Sequence, residues 1–434
     1  SACLVGSEMC IRDRNFSPNH RFGFFPSIAV GYVVSNEKFF APIRDVVSMV
    51  KLKASYGLVG NDQIGGDRRF IYNETVIGGG KYYFGTTPSQ YTSVRLGEFP
   101  NPNVGWEKAK KLNLGADLSF FNQLNISVDY FKENREGIFL QRKSIPMYVG
   151  LSTKPWVNIG KMRNSGIDAS LEYHQPLGKD LHLTVRGNFT YARNRIMDQD
   201  EPDYAYTYMN HSGQMQWQKF GLVAAGLFQD QEDIDSWAKQ SFGEVKPGDI
   251  KYLDLNGDGI VDNYDTKPIG YSDIPEIVYG FGFSLQWKAF DLSAFFQGVA
   301  HVSFSTLTDQ TQAFVGRNLK ESSVFADLYG NTWTPENPGA KYPRMTTGAI
   351  DNNNQLSTFW MANGRYLRLK NLELGYTLPK RIANKIAMQS LRVYLSGVNL
   401  FTFSPFKLWD PDLQTGATNY PNNRIINLGL TIGF

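Results

Sequence analysis

Ile426-Asn427-Leu428-Gly429-Leu430-Thr431-Ile432-Gly433-Phe434 closes the chain with an apolar side chain at every second position and an aromatic as its last residue. That period of two belongs to a strand with one greasy face and one small or polar face. Soluble domains tend to end in polar, frayed residues, whereas outer-membrane barrels end on such strands. The stretch therefore predicts an all-β, membrane-spanning antiparallel barrel, with Phe434 as the mark that the barrel insertase reads.

Working back from it, alternating segments come in pairs: Ser27–Val34 with Met49–Tyr56, Leu112–Phe120 with Leu124–Tyr130, Ile167–Tyr173 with Leu181–Tyr191, Ile277–Trp287 with Phe290–Gly298, and Tyr366–Tyr376 with Leu391–Gly397. Leu112, Leu114, Ala116, Leu118 and Phe120 oppose Asn113, Gly115, Asp117 and Ser119, the pattern of a lipid-facing exterior and a wet lumen. Connections within pairs are short, and every one between pairs is longer than any within them. Short periplasmic turns and long extracellular loops explain that alternation, and a soluble sandwich does not. In the strand from Tyr366, outward Leu367 and Leu369 give way to Leu372 and Leu374, which predicts a β-bulge at Lys370-Asn371. With the closing strand the count is eleven, an open set that needs further strands to close.

Leu4–Arg14 is an in-frame translation of a transposase sequencing adaptor, so Ser1–Arg14 is read as an artefact expected to lie unpacked, and residues 15–434 as the protein proper. Both cysteines, Cys3 and Cys10, fall inside that segment, which excludes a disulfide framework or a thiol catalyst from the remainder. The chain is then expected to be the C-terminal piece of something longer. Basic and acidic residues nearly balance, 44 against 41, with no basic block, which argues against nucleic acid as a partner. No apolar run approaches the ~20 residues of a membrane helix.

The segments RFGFFPS (Arg21–Ser27), KLKASYG (Lys51–Gly57), NPNVGWE (Asn101–Glu107) and NIGKMRNSG (Asn158–Gly166) resemble blocks of SusC/RagA-type TonB-dependent outer-membrane transporters. So do Gly248–Asp265, Tyr366–Pro379 and Asn399–Thr402, in the family's order. The resemblance implies a 22-stranded, plugged barrel in the cell outer membrane, of which this chain is the C-terminal half. It also implies a SusD-like surface lipoprotein, energy from a TonB complex, and uptake of oligosaccharides or peptides. The alternatives are a siderophore or vitamin receptor without a lipoprotein lid, or a secreted carbohydrate-binding β-protein.

One local motif carries its own chemistry. Asp254, Asn256, Asp258, Asp262 and Asp265 stand at positions 1, 3, 5, 9 and 12 of a loop with Gly259 at 6 and the Ile260 carbonyl at 7, the spacing of a calcium loop. Position 12 is Asp rather than the longer Glu, and the flanks read as strand and loop. A structural, extracellular Ca2+ is expected, against an Asx-rich turn that satisfies only its own backbone. Catalysis finds no support: His20, His174, His182, His211 and His301 lack zinc-ligand spacing, and Gly78–Lys81 departs from a phosphate loop at Thr75 and Tyr82. The chain reads as a non-enzyme. Tyr204, Tyr206, Tyr208, Trp217, Trp333, Phe359 and Trp360 could stack on sugars, but packing and interface roles are the expected ones.

Overall fold

The structure is a computed structural model. It describes residues 2–12, 15–63, 69–151, 153–308, 311, 325–346, 348–386, 388–416 and 419–433, so Phe434 lies outside the described residues. Twelve strands form one antiparallel sheet in chain order: β1 Ala2–Arg12, β2 Phe22–Val33, β3 Val47–Asn61, β4 Glu107–Phe120, β5 Leu124–Gln141, β6 Trp156–Pro176, β7 Leu181–Asp198, β8 Ile277–Trp287, β9 Phe290–Ala300, β10 Tyr366–Thr377, β11 Ser390–Phe403 and β12 Ile425–Gly433. Every strand pairs with its neighbours in sequence, a meander whose two edges, β1 and β12, do not pair with each other.

The eleven expected strands are β2 to β12. The twelfth corrects the reading of Ser1–Arg14 as unpacked, because Ala2–Arg12 pairs residue for residue with Phe22–Tyr32. The reason is main-chain chemistry. An open edge presents a row of unpaired amide and carbonyl groups that any extended segment satisfies, whatever its side chains.

One face of the sheet carries a broad apolar band. A cross-strand row of leucines runs Leu183, Leu285, Leu292, Leu374, Leu395, Leu428, each the register partner of the next. These residues have no protein above them. Leu374 is 50% exposed and Leu395 49%, although their strands are paired on both sides, an exposure that a lipid surround makes favourable. Nearer the short turns the same face carries Trp287, Phe290 and Tyr376, with ring centroids 6.3 and 4.7 Å apart in succession. That is an aromatic girdle of the kind found at a membrane interface.

The bulge falls where the leucine pattern changes phase. Between β9 and β10 the register jumps from Phe295↔Asn371 to Phe296↔Leu369, leaving Lys370 unmatched. The β10–β11 ladder is displaced at the same place. One extra residue turns the apolar set of β10 back toward lipid.

The buried apolar clusters lie at the end with the long connections, while single residues such as Phe40 and Ala383 are buried in the short turns. A first cluster packs Phe16, Ile71, Val104, Trp106 and Phe139 around Phe25. A second, larger one lies in the loops.

Candidate functional site

The two longest connections, 199–276 and 301–365, fold together into one unit at the mouth of the wall. Its core is Leu222, Leu227, Ile250, Tyr252, Val261, Leu328, Tyr342 and Trp360. Short ladders tie it: Ala224–Leu227 with Ile250–Tyr252, Lys239–Gln240 with Ile260–Val261, and Ser303–Ser305 with Met361–Asn363. At its centre Asp249, fully buried, accepts from Arg344 Nε at 2.8 Å and Nη2 at 3.1 Å, and from Asn353 Nδ2 at 2.9 Å. Asn353 Oδ1 in turn takes the Ile250 amide at 2.8 Å, and the Asn353 carbonyl accepts the Trp360 indole N–H at 2.8 Å. The buried charge is thus paired and fully hydrogen-bonded, the condition under which such a pair persists. Gly248 beside it has φ +89°, and a Cβ there would meet Trp333 at 2.4 Å, so both backbone and space require glycine.

Trp333, Phe359 and Trp360 belong to this core or pack against it. Tyr204, Tyr206, Tyr208 and Trp217 instead lie toward its surface. Tyr206 and Tyr208 stack at 5.4 Å and 5°, and the Tyr208 hydroxyl donates to the Tyr264 carbonyl at 2.7 Å. Burial and the nearby Asp265 and Asp254 carboxylates raise the Tyr208 phenol above its ordinary value. Trp217 is 61% exposed at φ +66°, a strained conformation for a bulky residue.

In the Asp254–Asp265 turn the acidic side chains are turned onto the backbone. Asp254 accepts the amides of Gly257 and Gly259 at 2.7 and 2.8 Å, and Asp258 that of Ile260 at 2.8 Å. Asn256 Oδ1 accepts the Asp258 amide at 2.9 Å. Asp262 and the buried Asp265 close a reciprocal cap, with Asp265 also accepting from Leu255 at 2.7 Å. Among the described residues no three His, Cys, Asp or Glu side chains converge as a metal site. All six predicted positions therefore share one turn, arranged as an Asx-rich motif with carboxylate lone pairs remaining.

The polar face of the wall carries a second set of residues that sequence reading did not single out. Lys53 on β3 sits 2.8 Å from Asp117 on β4 and 3.2 Å from Asp129 on β5, while Ser127 donates to Asp117 at 2.7 Å. Gly115 makes room: a Cβ there would lie 2.0 Å from Asp129 Oδ1. Farther round, Arg392 on β11 bridges Asp291 on β9 and Glu373 on β10. Arg186 meets Glu172 at 2.8 Å, and Lys111 meets Glu133 at 3.3 Å. Near the loop end Arg368, buried, is held by Asp410, by Asp412 at 2.7 Å and by Thr402 at 3.0 Å. Each of these cations lies beside one or two carboxylates, and Arg135 also meets Glu133, so the lumen offers a polar, hydrogen-bonding surface whose cations are paired. The sequence hint was the run of charged residues on the non-apolar face, Lys51, Lys53, Asp117 and Asp129. Their partners are tens of residues away.

The histidines are dispersed: His20 bonds Ser17, His174 meets Glu172 and Thr184, His211 stacks on Phe220, and His301 pairs with Glu276.

Residues 11–400 match the protein-family model described as TonB dependent receptor-like, beta-barrel. TonB-dependent receptor P3 of Formosa agariphila is 30% identical over 97% of this chain and 43% of its own length. TonB-dependent receptor SusC of Bacteroides thetaiotaomicron is 26% identical over 96% of this chain and 41% of its own. The solved structure of the RagAB peptide transporter superposes with TM-score 0.76 at 23% identity, covering 100% of this chain and 46% of that one, a likeness of fold. The chain thus spans less than half the length of the curated relatives it matches. With a lipid-facing leucine row, a polar inner face and one long loop at every second connection, the chain belongs to the TonB-dependent receptor β-barrel family and is part of an outer-membrane protein.

Proposed function

We propose that this chain is the C-terminal half of the wall of a TonB-dependent importer that works with a SusD-like lipoprotein and admits oligosaccharides or peptides. The observation that carries this reading is the joint loop unit at the mouth, a platform with its own core on which a lid can rest. The resemblance to SusC along 96% of the chain supports the lipoprotein partner. A lumen whose cations are paired with carboxylates suits uncharged or zwitterionic polar solutes, which it can hydrogen-bond. Residues 1–14 are proposed to be foreign to the protein proper.

Full-length protein, produced with its neighbouring lipoprotein, is expected to import labelled oligosaccharides or oligopeptides only while the proton-motive force is intact. Separate assays with the two labels assign the substrate class. Import of a ferric chelate by the barrel without any lipoprotein would replace this reading.

Two further expectations belong to the same proposal. Deleting Phe434, or changing it to Asp, is expected to impair recognition by the insertase and to lower the yield of heat-modifiable barrel in the outer membrane. Equal yields of folded, surface-exposed protein would refute that role. In the Asp254–Asp265 turn the remaining lone pairs are proposed to bind Ca2+ weakly, with a dissociation constant of roughly 0.1 to 1 mM. Calcium should then slow protease nicking of the loop in wild type but not in Asp258→Ala. Equal protection of both leaves the Asx-turn account alone standing.

A further inference from the structure

The outward face of β4 to β7 changes character abruptly toward the loop end. The row Leu114, Tyr130, Ile167, Tyr191 is apolar across all four strands. The next outward row reads Leu112, Lys132, Ser165, Arg193, and the one after it Lys110, Asn134, Arg163, Arg195. A third row adds Lys108, Glu136 and Lys161. Outward rows are two residues apart, about 6–7 Å along the strand, so with strands tilted by about 40° the first two basic rows stand roughly 5 to 10 Å above the last apolar one. That is the depth of lipid headgroups, not of hydrocarbon or bulk water.

Cations outnumber carboxylates in this band. Glu136 meets Lys110 at 3.1 Å, Asp198 lies 3.9 Å from Lys161, and buried Glu276 meets Arg193 at 2.9 Å. Lys132 and Arg163 have no carboxylate partner among the described residues. Arg163 is oriented by Asn134, whose Oδ1 accepts from its Nε at 3.1 Å, and Arg195 donates to the Gly213 carbonyl. At the other end of the outward surface it is the neighbouring strands β8 to β10 that carry the aromatic girdle of Trp287, Phe290 and Tyr376.

We propose that this band binds an outer-leaflet lipid whose headgroup carries more than one phosphate. Four adjacent strands span about 14 Å at their ordinary spacing, wider than one phosphate but matched to a headgroup with separated anionic groups. Guanidinium and ammonium groups supply the charge-assisted hydrogen bonds that phosphate oxygens accept. Lipid tails would lie on the apolar rows directly below.

The test uses the full-length protein in neutral detergent, titrated with diphosphoryl lipid A, with the same lipid dephosphorylated, and with inorganic phosphate, and read by native mass spectrometry. Wild type should retain the diphosphoryl lipid in preference to the dephosphorylated one. The double substitution Lys132→Gln with Arg163→Gln should weaken that retention about ten-fold or more, each basic residue near an anionic headgroup contributing appreciably. Arg163→Lys alone should keep most of it. Equal retention by wild type and the double variant, or no preference for the phosphorylated lipid, overturns the proposal. Full competition by millimolar inorganic phosphate does so too, since it assigns the band to free phosphate. Heat-modifiable mobility, measured in parallel, reports separately whether each variant is a folded barrel.

Discussion

Arginine in place of Leu395 is expected to destabilise the full-length barrel by about 2–4 kcal/mol, the cost of an arginine on the lipid face near the bilayer midplane. Leu395 sits in the leucine row with Leu374 and Leu428 as its register partners on either side, and all three side chains are exposed on the protein. A guanidinium there meets hydrocarbon and two apolar register partners, with no carboxylate opposite to receive it. The next residue, Ser396, points into the lumen opposite Glu373 and Asn427, so Ser396→Arg gains an acceptor and should cost little. Urea unfolding in lipid vesicles measures both. Comparable losses from the two substitutions would mean that the faces of β11 are assigned the wrong way round, because a strand allows no third orientation.

The same alternation explains which parts of the fold were legible in the sequence. Where a strand crosses hydrocarbon, one face must be apolar and the other wet, so its period of two is plain: Leu112–Phe120 and Ile277–Trp287 are examples. Above the bilayer both faces are polar and the period vanishes. The structure accordingly extends Leu112–Phe120 back to Glu107, Leu124–Tyr130 on to Gln141, and Ile167–Tyr173 back to Trp156. The bulge at Lys370 was readable because it shifts an apolar pattern by one residue. The joint core of the two long loops was not, since Leu222, Ile250 and Trp360 come from segments with no common period. Nor were the luminal pairs, whose members meet only once register is fixed: Lys53 and Asp129 are neighbours through β4, not through sequence. The acidic turn stands out in the sequence by its spacing, but spacing alone could not show that its carboxylates cap backbone amides.

Trp360→Ala is expected to remove about 3–5 kcal/mol, the usual range for deleting a buried aromatic, from the loop unit rather than from the wall. Trp360 is 2% exposed, and its ring packs among Leu222, Ile250, Tyr252 and Tyr342. Its indole N–H is the donor to the Asn353 carbonyl, and Asn353 holds both Asp249 and the Ile250 amide. The substitution therefore opens a cavity and loosens the support of a buried carboxylate in one step. The wall does not share this core. Its strands are held by continuous backbone ladders and by lipid, so local opening of the loops need not spread into it. Hydrogen exchange should accordingly rise across residues 220–270 and 325–361 while β8 to β11 stay protected, and heat-modifiable mobility should be unchanged. Simultaneous loss of protection in the strands would show that wall and loops fold as one cooperative body. If only the loops respond, the importer reading gains a sharp consequence. Lipoprotein-dependent uptake should fall in a variant whose barrel is intact, because what has been lost is the platform and not the pore.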